Sequence, residues 1–97
     1  MIPNTLTIAG VDPSGGAGIL ADVKAMSALG AYATAVIAAL TAQNTQGVTG
    51  ISPVPADFVR QQIDTLFADV RIDGVNIGLL GQAAVSTVVA ERMAHFT

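Results

Sequence analysis

The chain has 97 residues, a net charge of −3, no cysteine and a single histidine, His95. This excludes a disulfide framework, a cysteine-ligated metal and a histidine-pair zinc motif; with no basic run, a nucleic-acid surface is not expected either. Hydrophobic residues make up 52% and charged ones 11%, with a mean hydropathy of +0.61, so part of the apolar surface calls for a partner or further chain to cover it.

The first element is a short buried strand at residues 5–10, TLTIAG, which ends at a glycine. A helix follows from about Gly16 to Leu29, with Ile19, Val23, Met26 and Gly30 at i, i+4, i+7 and i+11. Gly30 stands where a glycine ends a helix. Residues 32–40, YATAVIAAL, are almost wholly apolar, as in a parallel strand covered on both faces. The next stretch, TAQNTQGVTGISPVP, reads as a loop with room for a short β segment. A second helix begins near Pro55, with Asp57 in its first turn and Val59, Ile63, Leu66 and Val70 on one face. A turn at Asp73-Gly74 leads to a strand at 75–80, and a third helix covers about 83–95. The alternation β-α-β-α-β-α predicts an α/β fold with a mainly parallel sheet and right-handed crossovers.

The start of the chain, MIPNTLTIAG, lacks the basic and long apolar regions of a signal peptide, and no window reaches a membrane-spanning length. The default location is the cytoplasm, with no membrane partner.

The segment GVDPSGGAG, Gly10 to Gly18, joins the first strand to the first helix. Gly10 and Gly15 have P-loop spacing, but Gly16-Ala17 stand where Lys-Ser/Thr is required, so that reading fails. Gly16, Gly18 and Ala21 match the dinucleotide fingerprint literally. The acid that holds the ribose hydroxyls is missing, since no Asp or Glu follows the second strand before Asp57. The glycines still allow positive φ and close approach of a ligand to backbone. In an open α/β sheet this edge is where ligands bind. Gly10–Gly18, Gln43-Asn44-Thr45 and Leu79–Gln82 are therefore expected to converge on one site. Their amides and hydroxyls suit a neutral hydrogen-bonding ligand, and a Gln or Asn amide matches the edge of an aminopyrimidine or similar heterocycle. Each residue also has a plainer role open to it. Gln43 and Asn44 can serve as turn residues, Asp12 can cap a turn, and Asp22 can favour the first helix turn. His95 has no assigned role, and Met26 and Met93 fall on core-facing sides.

The segments TIAGVDPSGGAGILADVKAMSALGAY, TAQNTQGV and VRIDGVNIGLLG resemble the start of the hydroxymethylpyrimidine/phosphomethylpyrimidine kinases of thiamine biosynthesis, members of the ribokinase-like superfamily. The resemblance runs from about Thr5 to Phe96. It implies the N-terminal part of a ribokinase-like three-layer fold. It also implies ATP- and magnesium-dependent phosphorylation of 4-amino-5-hydroxymethyl-2-methylpyrimidine and then of its monophosphate. By the same resemblance Gln43 hydrogen-bonds the pyrimidine, and Gly10, Asp22, Asn44 and Leu79 match positions in or near that pocket. Val11 stands where the family often has Ser or Thr, Leu20 where Gln is common, and Leu79 where Met is frequent.

Family members are considerably longer, and their anion hole, catalytic base and most ATP contacts lie in a later glycine-rich segment. Residues 1–97 are thus expected to form a partial domain on the acceptor-substrate side, without the C-terminal nucleotide-binding part. No catalytic or metal-binding residue is assigned within them, ATP and Mg2+ are not expected to bind well, and turnover is expected to be absent. Association, as a homo-oligomer or through exposed apolar surface, is expected. Two other readings are a pyridoxal or pyridoxine kinase fragment and a non-catalytic binding or assembly module; a dinucleotide-binding domain ranks below both.

Overall fold

A computed structural model describes residues 2–97. The elements run β1 (Asn4–Val11), α1 (Gly18–Ala28), β2 (Tyr32–Asn44), β3 (Gly47–Pro53), α2 (Ala56–Phe67), β4 (Gly74–Ile77) and α3 (Ala83–Phe96). One sheet has the order β3-β2-β1-β4, with β1 parallel to both β2 and β4 and β3 antiparallel to β2.

The central strand β1 is buried on both faces. Side chains alternate along a strand, so Leu6 and Ile8 point one way, and Thr7 and Ala9 the other. Leu6 and Ile8 join Val36 and Ala38 of β2, Val59 and Ile63 of α2, and Val85 and Val89 of α3 in a continuous core. Phe67 and Phe96 stack at 4.5 Å between ring centroids, and Arg92 of α3 reaches Asp64 of α2 at 2.7 Å. Helix α1 packs on β1 and β2 from the opposite side, which makes a three-layer arrangement. It buries only Ile19 fully. Its end has the glycine stop expected of Gly30: φ is +86°, and the Ala31 and Gly30 N–H groups donate to the carbonyls of Met26 and Ser27.

The stretch expected as a loop at residues 41–55 is largely strand. Strand β2 continues to Asn44 and turns back into β3, so the order is β-α-β-β-α-β-α while the sheet stays mainly parallel. Strand β1 ends opposite Leu40, so beyond that point β2 pairs only with β3. A two-stranded ribbon outside the main sheet is solvated on both faces, and its polar sequence follows from that. The turn closes locally, with Asn44 Oδ1 accepting from the N–H groups of Gln46 and Gly47 at 2.8 and 3.2 Å.

The strand expected at 75–80 covers only Gly74–Ile77. The Gly78 N–H makes one last bond to the Ile8 carbonyl (2.9 Å), and the chain then leaves the sheet across β1. A Cβ at Gly78 would come within 3.0 Å of the Ala9 Cβ, so the crossing is tight. Strand β4 is an open edge, with Val75 37% and Ile77 48% exposed. Where β3 diverges from β2, Gln62 of α2 substitutes for a strand. Its Oε1 accepts from the Ile37 N–H and its Nε2 donates to the Ile37 carbonyl, both at 2.9 Å. This satisfies a backbone pair that the sheet leaves open. No helix among the described residues is long and apolar enough to cross a membrane.

Candidate functional site

The ends of β1 and β4 and the start of α1 enclose an open cleft of about 420 Å³. Gly10 and Gly18 contribute backbone, Asp22 and Asn76 polar side chains, and Ile77 and Leu79 an apolar rim. The parallel pairing of β1 with β4 puts Asn76 beside Thr7, and α1 brings Asp22 over both.

Asp22 is held from below. The buried Thr7 hydroxyl donates to its Oδ2 at 2.6 Å, and Asn76 Nδ2 lies 3.4 Å from the same oxygen. Oδ1 takes no hydrogen bond among the described residues and remains able to accept one from a ligand. Thr7 thus acquires the partner that a fully buried hydroxyl requires.

The glycine loop is organised around its own carboxylate. Asp12 is 4% exposed, and its Oδ1 accepts from the Ser14 N–H (2.9 Å) and the Ser14 hydroxyl (2.7 Å). The Ser14 hydroxyl first, then the backbone amides of Ser14, Gly16 and Ala17, hold the Asp12 carboxyl below its ordinary range; burial opposes them. The Gly15 N–H donates to the Asp12 carbonyl at 3.0 Å. Beyond this turn the chain returns to β1, where Val11 and Gly18 form an isolated bridge. Gly18 has φ +64°, and a Cβ there would lie 2.2 Å from the Gly10 carbonyl oxygen. Close approach of two backbone segments, rather than a waiting phosphate, is what these glycines serve here.

Of the five site residues expected from sequence, the cleft brings together Gly10, Asp22 and Leu79. Leu79 is 95% exposed, an apolar side chain with nothing yet against it. Gln43 and Asn44 lie on the β2–β3 ribbon and do not line this cleft. The Asn44 side-chain oxygen is committed to its turn. Gln43 is half-buried near the end of β1: the Thr41 hydroxyl donates to the Val11 carbonyl at 2.7 Å and lies 3.1 Å from Gln43 Oε1. Thr7 and Asn76 were not singled out from sequence. A threonine inside a strand buried on both faces needs a hydrogen-bond partner, and that was the available signal.

Among the described residues, no lysine or arginine lines the cleft, and no three His, Cys, Asp or Glu residues cluster as a metal site. One carboxylate, one side-chain amide, three glycine backbones and an apolar rim favour a ligand that donates hydrogen bonds and has a flat apolar body. They do not fit a triphosphate, whose charge needs cations or free N–H groups.

Residues 12–97 match the family model described as phosphomethylpyrimidine kinase. The chain is 55% identical over 93 residues to the hydroxymethylpyrimidine/phosphomethylpyrimidine kinase of Escherichia coli (strain K12), covering 96% of this chain and 35% of that protein. The Salmonella typhimurium enzyme of the same name is 57% identical over 90 residues, covering 93% of this chain and 34% of its own length. The chain therefore spans about a third of the length of these curated relatives. A crystal structure of phosphomethylpyrimidine kinase from Clostridium difficile superposes with a TM-score of 0.93 at 40% identity, over 97% of this chain and 41% of the other. A pyridoxal kinase from Bacillus subtilis superposes with a TM-score of 0.88 at 26% identity, over 99% of this chain and 38% of the other. With a family match over residues 12–97, relatives more than half identical over most of the chain and a crystal structure that superposes on 97% of it, the chain belongs to the phosphomethylpyrimidine kinase family.

Proposed function

We propose that these residues form the pyrimidine-binding side of an ATP-dependent hydroxymethylpyrimidine/phosphomethylpyrimidine kinase acting in the cytoplasm. The observation that carries this reading is the Asp22 carboxylate in the cleft lining, anchored through Oδ2 and with no hydrogen bond to Oδ1 among the described residues. An aminopyrimidine with a hydroxymethyl group offers N–H and O–H donors to that oxygen and to the Gly10 and Gly18 backbone. Its flat ring matches the apolar rim of Ile77 and Leu79. Gln43 is proposed to reach the ring from the ribbon, which its approach to Thr41, bonded to the Val11 carbonyl at the end of β1, supports; Asn44 acts there as the turn residue that fixes the ribbon.

Phosphoryl transfer rests on positioning and on charge stabilisation around the transferring group. The cleft residues can orient the acceptor hydroxyl, while ATP and Mg2+ belong to parts of the family outside the matched third. Calorimetric titration of the chain with 4-amino-5-hydroxymethyl-2-methylpyrimidine is expected to show saturable binding without ADP release when ATP is added. Asp22→Ala should weaken binding roughly 10-fold or more, the range for a hydrogen bond to a charged group. Absence of binding to the unaltered chain overturns the reading. The likeness to pyridoxal kinase supports a second reading, in which a pyridine ring occupies the same cleft. Tighter binding of pyridoxine than of the pyrimidine would favour it.

Association is also part of the proposal. The open β4 edge and its exposed Val75 and Ile77 support pairing with another strand, from a second copy or from a complementary segment. Sedimentation of the isolated chain should show self-association that rises with concentration, and a strictly monomeric profile would remove this part.

A further inference from the structure

We propose that Asp12 is a positioning residue: its carboxylate is the resident anion of the glycine loop, and it sets Gly10 and Gly18 against each other as the cleft wall. The loop has the backbone composition of an anion nest, yet its amides turn toward a side chain of the same chain. Asp12 Oδ1 takes both the N–H and the hydroxyl of Ser14, and the backbone amides of Gly16 and Ala17 help hold its carboxyl below the ordinary range. Asp12 Oδ2 lies 3.6 Å from where a Cβ of Gly16 would stand, so the carboxylate faces Gly16 as well as Ser14. The carboxylate is itself buried, so its charge is met by donors of its own loop.

One consequence follows. Residues 12–17 are tied back on themselves, which delivers Gly18 to its bridge with Val11 and its contact with the Gly10 carbonyl. The effect on a bound pyrimidine rests on the pyrimidine-pocket reading; the tie within the loop does not.

The test is chemical rescue of the whole chain, with formate as probe and ionic strength held constant with chloride. Asp12→Ala is expected to melt several degrees lower and to shift the amide resonances of Ser14, Gly16 and Ala17. Formate should restore both in a saturable way and leave the unaltered chain unaffected. An unchanged melting midpoint in Asp12→Ala, or a formate effect no different from that of chloride, overturns the proposal. Should Asp12→Ala not fold, Asp12→Asn keeps an acceptor oxygen without the charge. It is expected to retain cooperative unfolding while amide exchange at Gly16 and Ala17 speeds up, and unchanged exchange there overturns the proposal. Pyrimidine binding to Asp12→Ala should return with formate, whereas pyrimidine that binds but does not respond to formate overturns the positioning role. A wild-type chain that binds no pyrimidine, with formate rescue intact, removes the pocket reading and leaves the resident anion established.

Discussion

Replacing Ile63 with alanine is expected to lower the stability of the fold by about 2–5 kcal/mol, the range for deleting a large aliphatic side chain from a packed core. Ile63 is 0% exposed and lies in the cluster where Leu6 and Ile8 of β1 meet Val59 of α2 and Val85 and Val89 of α3. Helix α2 is otherwise held by Val59 in the same cluster, by Leu66 and Phe67 packed against it, by the Gln62 bonds to β2 and by its contact with α3. A cavity at Ile63 therefore loosens α2 from the sheet and α3 from α2 together. Small domains have net stabilities of about 5–15 kcal/mol, so Ile63→Ala sits close to the limit of folding. Ile63→Val, expected to cost about 0.5–1.5 kcal/mol, keeps the comparison measurable. Urea unfolding followed by circular dichroism reads both, with Ile51→Ala on the exposed ribbon (Ile51 is 67% exposed) as the control expected within about 0.5 kcal/mol of the parent. Equal costs at positions 51 and 63 would overturn the placement of the core.

Helix α2 was legible in the sequence because its apolar residues recur with helical spacing, and Val59 and Ile63 are the two it buries. Helix α1 was legible for a different reason. Its own pattern is weak, with one fully buried residue, and its limits come from glycines: the Gly18 bridge at one end and the positive φ of Gly30 at the other. The β2–β3 ribbon was not legible. Local composition cannot separate a solvated two-stranded ribbon from a loop when both carry Thr, Gln, Asn and Gly. The distinction lies in the pairing of Gln43 with Val48 and of Ala42 with Gly50, contacts set by the returning strand. Within the site, Gly10 and Leu79 were legible from their loops at one sheet edge and again from family resemblance, Asp22 from the resemblance alone, and the fold gathers the three. The hydrogen bond from Thr7 to Asp22 was hidden because a threonine in a strand reads first as a β-former, and its partner lies 15 residues away on another element. Asp12 was legible as a turn cap; that the Gly16 and Ala17 amides also help hold its carboxyl below the ordinary range requires the path of the whole loop.

Gly18→Ala is expected to have the largest effect of any single methyl added to this chain. Two costs combine there. The left-handed conformation, φ +64°, costs a residue with a Cβ about 1–2 kcal/mol. The Cβ would then stand 2.2 Å from the Gly10 carbonyl oxygen and 3.2 Å from its carbon, which are backbone atoms of the central strand. They cannot rotate away as a side chain can. Either β1 moves, against its pairing with β2 and β4, or α1 moves and takes Asp22 from Thr7. Gly15→Ala separates the two costs. Its φ is +76°, but its Cβ would meet Lys24 Nζ at 2.4 Å, the far end of a flexible side chain. Gly15→Ala should therefore lose only the conformational part, roughly 1–2 kcal/mol, and Gly18→Ala clearly more. Thermal unfolding ranks them, and pyrimidine titration of whatever remains folded adds the functional readout: Gly15→Ala keeps most of its affinity, while Gly18→Ala loses it because the wall and the carboxylate shift together. Equal losses for the two variants would mean that the approach of Gly18 to Gly10 is not what builds the cleft, and that the loop's glycines serve only the turn.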